Sequence, residues 1–210
     1  GSGRTELARA MFGIDRMLAG EVRLDGAALT IGTPRAAIAQ GLFLVPEDRK
    51  RSGLVLDMTI AQNVTLPGLR HVAKRWLIDG RGEAKQAEAQ REKLRIRTPS
   101  VTTTALKLSG GNQQKIVLAK WLALQPRFLI FDEPTRGIDV GAKSEIYQLM
   151  RNLADRGVPI LMISSDMEEV IGVSDRIAVM HEGRISGILG RDQFSEPNVM
   201  QLAVGRPLAA

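Results

Sequence analysis

Short, wholly apolar runs alternate with amphipathic ones along this chain, and the alternation predicts its elements. Residues 42–45 form a wholly apolar run of the kind buried on both faces of a parallel sheet, and the apolar runs 128–131 and 160–163 also read as strands. Ile146, Leu149, Met150 and Leu153 recur at the i, i+3, i+4, i+7 spacing of one helical stripe. Helices are also predicted over residues 5–12, closed by Gly13, over 83–94, over 110–124 and over 166–171. Val22-Arg23-Leu24, the Asp25-Gly26 turn and a return strand over 27–31 read as a hairpin. Thr33-Pro34 then opens a helix, because the threonine can cap it and proline suits its first turn. Strands near 177–180 and 184–189 end the pattern. Strands that alternate with helices predict an α/β fold with a mostly parallel, doubly wound sheet. The stretch from about Ser52 to Leu106 breaks the alternation and predicts a largely helical subdomain with a threonine-rich loop.

Composition changes this picture little. Hydrophobic residues at 44% and charged residues at 25% are those of an ordinary globular domain. Without cysteine there is no disulfide framework and no thiolate metal site. No run of about 18 apolar residues, the length a spanning helix needs, occurs in the chain. The opening residues also lack the charged and apolar blocks of a signal peptide. The formal charge of +6 would suit nucleic acid, but aromatics at 4% leave few stacking platforms for it. The densest basic run, Arg49-Lys50-Arg51, reads as a solvated loop. His71 and His181 read as surface or turn histidines.

The chemistry lies elsewhere. The apolar run 128–131 delivers Asp132 and Glu133 to the carboxyl end of a buried strand, where open α/β sheets place ligands. Asp132 is expected to hold Mg²⁺, usually through water, and Glu133 to orient or deprotonate a water near a γ-phosphate. Paired carboxylates on a loop are commonly solvated charge. The buried run before them and Pro134-Thr135 after them favour a site. Upstream, Leu108-Ser109-Gly110-Gly111-Asn112-Gln113-Gln114-Lys115 opens a long helix. Its serine hydroxyl and backbone N–H groups gather at a positive helix terminus, and glycine allows close approach of an anion. Alone this would be a serine cap and a glycine turn; the conjunction with Asp132-Glu133 makes it specific. At the start, Gly3-Arg4-Thr5 fit the last three positions of the phosphate-binding G-x-x-x-x-G-K-[ST] loop, with arginine in place of lysine.

On these motifs the chain resembles ABC ATPases along essentially its whole length. More narrowly, it is similar to the second, C-terminal nucleotide-binding half of tandem ATPases that drive bacterial monosaccharide importers of the ribose, galactose and xylose class. The residues that carry this are Gly3 to Leu7, Val45 to Lys50, Leu108 to Lys115, Asp132 to Asp139, Ile163 to Met167 and Ser174 to Ile177. The resemblance implies a P-loop NTPase (RecA-like) fold over residues 1–210, incomplete at its N-terminus, with a helical subdomain inserted at about 52–109. It implies ATP and Mg²⁺ as cofactors. Gly1, Ser2, Gly3, Arg4 and Thr5 would form the chain's own P-loop, with Thr5 and Asp132 on the metal and Glu133 catalytic. Ser109, Gly110, Gly111 and Asn112 would be the signature that closes over ATP held by a partner domain. Glu47 takes the Q-loop position, Asp139 that of the D-loop and Ser165 that of the switch histidine. Implied partners are an N-terminal ABC half, fused or in trans, transmembrane permease subunits and, indirectly, a periplasmic sugar-binding protein. The implied location is the cytoplasmic face of the bacterial inner membrane, with no role for nucleic acid.

Three positions depart from the family pattern. Arg4 replaces the lysine that neutralises β- and γ-phosphates, and a forked guanidinium is no compact ammonium. Glu47 replaces the Q-loop glutamine. Ser165 replaces a histidine whose reach and charge a hydroxyl lacks. The expectation is therefore a lopsided domain, weak at its own ATP site, whose signature completes the partner's site. A non-catalytic regulatory or structural half is the alternative reading, and a soluble non-transport ABC ATPase a more distant one.

Overall fold

The computed structural model describes residues 2–74 and 77–208. In chain order its first elements are α1 (Arg4–Met11), β1 (Val22–Leu24), β2 (Ala27–Leu29), α2 (Pro34–Ala39) and β3 (Leu42–Val45). Next come α3 (Ile60–Thr65), α4 (Leu69–Val72), β4 (Ala73–Lys74), β5 (Leu77–Ile78) and α5 (Gly80–Lys93). The chain continues with α6 (Gly110–Leu122), β6 (Phe128–Asp132), α7 (Val140–Asp155) and β7 (Ile160–Ile163). It ends with α8 (Met167–Val173), β8 (Ile177–His181), β9 (Arg184–Leu189) and α9 (Glu196–Ala203). These elements fall into two compact units, residues 41–161 and residues 1–40 with 162–210.

The first of these units is built on β3 and β6, which pair in parallel from Leu42 opposite Phe128 to Val45 opposite Phe131. Every residue of β3 is buried, as is β6 from Leu129 onward, which is why their sequences are continuous apolar runs rather than alternating ones. β7 follows β6 in the sheet order. Helix α6 is buried on all sides from Gln113 to Leu122, the mark of a core helix. Its Trp121 stacks on Phe43 of β3 with ring centroids 5.0 Å apart. In α7 the expected stripe holds: Ile146, Met150 and Leu153 are buried and Leu149 half-buried.

Between Leu54 and Lys107 the described elements include helices α3, α4 and α5 and the antiparallel pair β4 and β5. Thr59 and Gln62 form a reciprocal capping box that opens α3. Asn63 is buried and folds the preceding loop around itself: its Oδ1 accepts from Val55 N–H at 2.9 Å and its Nδ2 donates to Val55 O at 2.9 Å. The threonine-rich loop is tied down by Ile60 N–H to Thr103 O at 2.9 Å and Ala105 N–H to Met58 O at 3.0 Å.

In the second unit, Asp25 and Gly26 turn the β1–β2 hairpin with φ of 53° and 79°, the doubly left-handed turn whose twist suits a two-residue hairpin. Thr33 caps α2 and Pro34 opens it. Helix α9 packs Val199 and Leu202 onto Ile177, Val179 and Leu189 of the β8–β9 hairpin. The sequence pattern did not predict α9. Its start signal was present in Ser195, which caps it through Asn198 N–H, and in the following Pro197. The parallel pairing expected of the sheet is present. It is described for β3 and β6, while β1-β2, β4-β5 and β8-β9 are antiparallel pairs.

Candidate nucleotide site

The parallel register that sets Val45 beside Phe131 brings two segments out at one sheet edge, Pro46-Glu47-Asp48 and Asp132-Glu133. This is the carboxyl edge that binds ligands in open α/β sheets. Asp132, at 3% exposure, ends β6 inside the buried layer. Glu133 is half-buried and left-handed, with φ of 47°. A non-glycine residue held there stores on the order of 1–3 kcal/mol, a feature that clusters at active sites. The strand thus turns sharply at the carboxylate that the sequence singled out. Among the described residues no group of three or more His, Cys, Asp or Glu could hold a metal alone. One buried carboxylate at a sheet edge suits Mg²⁺ carried in with a nucleotide, which supplies the other ligands through phosphate and water.

Ser109 is exposed and caps α6, its Oγ accepting from Asn112 Nδ2 at 2.9 Å. Asn112 in turn accepts from Arg97 N–H at 2.8 Å. The two glycines between them differ. Gly111 is buried, and a Cβ there would lie 2.6 Å from Ala142 Cβ in α7, so its small size is a packing requirement. At Gly110 a Cβ would lie 2.6 Å from Arg49 Nη2 and 3.3 Å from Gly137 O. Farther along α6, Lys115 donates to Arg95 O at 3.1 Å and pairs with Glu145 at 2.6 Å. That ammonium holds the Glu145 carboxyl below the usual carboxylate range. Asp139 caps α7 by accepting from Ala142 N–H at 2.9 Å.

Arg49 corrects the sequence reading of a solvated basic run. Lys50 and Arg51 are exposed, but Arg49 is half-buried. Its Nη1 donates to Arg136 O at 3.1 Å and its Nη2 to Gly137 O at 3.2 Å. Glu47, expected at the Q-loop position, has its carboxylate ion-paired with the Arg136 guanidinium. Asp48 caps the turn Arg49–Gly53 by accepting from Lys50 and Arg51 N–H, and Lys120 of α6 donates to Gly53 O. Glu47, Asp48, Arg49, Lys50 and Arg136 line a cleft of about 330 Å³. The sequence reading missed both Arg49 and Arg136. The available signal was a carboxylate standing where a glutamine was expected, which needs a cation to meet it.

In the second unit, Gly3 is left-handed with φ of 90° and precedes α1. Ser2 O accepts from Gly183 N–H at 3.0 Å. Arg4 is half-buried and donates to Ser164 O at 3.0 Å. Thr5 lies in the first turn of α1, and Gly1 lies outside the described residues. Ser164 hydrogen-bonds the buried Glu169 carboxylate through its hydroxyl and accepts from Asp166 N–H at 3.0 Å. Ser165 is exposed beside it. His71 is exposed, whereas His181 ends β8 half-buried, its Nδ1 2.9 Å from Ala203 O, so it braces α9 rather than standing in a turn.

Residues 1–136 match the family model described as ABC transporter. The chain belongs to that family. This ABC chain is 52% identical over 205 residues to a protein of Lactococcus lactis subsp. lactis (strain IL1403) named ribose import ATP-binding protein RbsA. That match covers 98% of the chain and 42% of the relative. A like-named protein of Bacillus subtilis (strain 168) is 48% identical over the same share of each. The chain therefore spans well under half the length of the relatives it matches. Among solved structures, a nucleotide-free ATP-binding cassette from an ABC transporter superposes with a TM-score of 0.79 at 20% identity, covering 98% of this chain and 85% of that one. A dimeric cassette in a post-hydrolysis state bound to ADP and Pi superposes with a TM-score of 0.74 at 22% identity, over 92% and 82% of the two chains. At those identities the likeness is one of fold. No helix among the described residues is long and apolar enough to cross a membrane.

Proposed function

We propose that this chain is a nucleotide-binding half of an ATP-driven importer of monosaccharides, working at the cytoplasmic face of a bacterial inner membrane. The observation that carries this reading is the joint presence of an exposed Ser109 turn on a buried helix and of Asp132-Glu133 at the carboxyl edge of β3 and β6, in a chain half-identical to ribose-import relatives. Asp132 would hold Mg²⁺, which when bound neutralises phosphate charge. Glu133 orients the attacking water and accepts its proton. The Ser109 hydroxyl and the N–H groups opening α6 donate to a γ-phosphate.

The γ-phosphate in question belongs, on this reading, to ATP held by a second ABC half, with this chain as the C-terminal one. Three observations support the asymmetry. Arg4, in the lysine position, is hydrogen-bonded to Ser164 O. Glu47 is paired with Arg136. Ser165 offers only a hydroxyl where a histidine is usual. The chain's own site then binds ATP weakly, and its signature serves the other. Permease subunits and a periplasmic sugar-binding protein complete the proposed assembly.

The importer reading is tested by reconstituting the full-length polypeptide with its permease in proteoliposomes that enclose MgATP. Labelled ribose, galactose or xylose should accumulate with the cognate binding protein present. ATP hydrolysis with no uptake of any of the three would remove the sugar-import assignment.

A further inference from the structure

We propose that Arg49 is a positioning residue: its guanidinium fixes the loop after Glu133 beside the Ser109 turn, and Gly110 lacks a side chain in order to admit it. The inference rests on the ATPase reading for its consequence but not for its geometry. Two N–H groups of one planar fork donate to consecutive carbonyls, Arg136 O at 3.1 Å and Gly137 O at 3.2 Å. A fork suits two adjacent acceptors in a way that a lysine ammonium does not. Gly137 itself is left-handed, with φ of 66°, so the loop is already turned to present both oxygens. A Cβ on Gly110 would come to 2.6 Å from Arg49 Nη2. The guanidinium tip is the movable party there. An added methyl would push it off its carbonyls rather than unfold the helix.

The rest of the segment holds Arg49 at its root. Asp48 caps the Arg49–Gly53 turn, and Lys120 donates to Gly53 O at the turn's far end. A Cβ on Gly53 would lie 3.0 Å from Val117 Cγ2 and 3.4 Å from Arg49 Cβ, so α6 packs directly under the turn. Glu47 adds a second tie by pairing with the Arg136 side chain. The loop that leaves Glu133 is thereby fixed through both its backbone and its side chain to the segment leaving β3. One glycine of the signature thus has a role within its own chain, apart from any approach to nucleotide.

Amide hydrogen exchange on the full-length polypeptide without nucleotide tests this, read at Arg136 and Ile138, with the β3 amides reporting that the fold is intact. R49M and G110A should each lower protection at residues 136 and 138 on the order of tenfold, the loss expected from two charge-assisted bonds at a half-buried site. The double variant should lose no more than either single one. Intact protection in G110A, or losses that multiply in the double variant, would overturn the clamp. If R49M disturbs β3, R49K answers the same question by keeping the stem and charge but not the fork, and protection retained there overturns it as well. In the ATPase assay R49K should lower kcat several-fold while leaving KM for MgATP unchanged, and an unchanged kcat removes the positioning role. An inactive wild type would count against the ATPase reading alone, because the exchange result stands without nucleotide.

Discussion

The helix that carries the signature and the helix that follows Gly3 are built very differently. From Gln113 to Leu122, α6 is buried on every side, while α1 buries Ala8 alone. The Ser109 turn therefore projects from the core of its unit. Arg4 and Thr5, two of the residues expected to meet the chain's own nucleotide, sit on the short helix α1, whose ties include Arg4 to Ser164 O. The contrast teaches where precision is concentrated. The turn proposed to act on a partner's ATP is locked by packing, and the helix that carries Arg4 buries a single alanine.

The largest test of this contrast is a pair of truncations. Phe131 is fully buried in β6 and Leu7 on α1 is 42% exposed. F131A should cost roughly 3–5 kcal/mol in urea denaturation, and L7A no more than about 0.5 kcal/mol. Comparable losses would erase the distinction. Next in size is the buried lysine of α6, at 8% exposure. Burial pushes Lys120 down to about 8 from an ordinary 10.5. The unfolded chain then binds more protons than the folded one between those values, so stability should rise as pH climbs from 8 toward 10.5. K120M should abolish that component of the rise, on the order of 3 kcal/mol, and parallel pH curves for the two proteins would refute the assignment. Smaller again, G111A brings a Cβ against Ala142 Cβ and should lower stability by about 1–3 kcal/mol through overpacking. The same change at Gly157, where a Cβ meets nothing within 4 Å, acts only through its left-handed backbone and checks that the α6 result is one of contact.

Much of this arrangement was legible in the sequence. The strands β3 and β6 were plain because burial on both faces demands continuous apolar runs. The hairpin at Asp25-Gly26 was plain because few residue pairs tolerate two left-handed positions. Asp132 and Glu133 could be placed because an apolar strand must end where the carboxylates begin. What the sequence hid was long-range. Arg49 looked like solvated charge because its acceptors are backbone carbonyls of Arg136 and Gly137, and a carbonyl carries no residue signature. Glu47 looked like a degraded glutamine until Arg136 appeared beside it. Gly111 read as room for an anion, and only the approach of Ala142 shows that packing also requires it. Helix α9 was missed because its apolar positions, Val199 and Leu202, are too few to make a stripe without the hairpin they cover.

On the proposed function, this chain contributes chiefly its signature to catalysis. Steady-state ATP hydrolysis by the full-length polypeptide carrying S109R or E133Q decides this. S109R should abolish turnover, and E133Q should leave most of it. Turnover that survives S109R but is lost in E133Q would contradict the claim and give the chain's own site the working role.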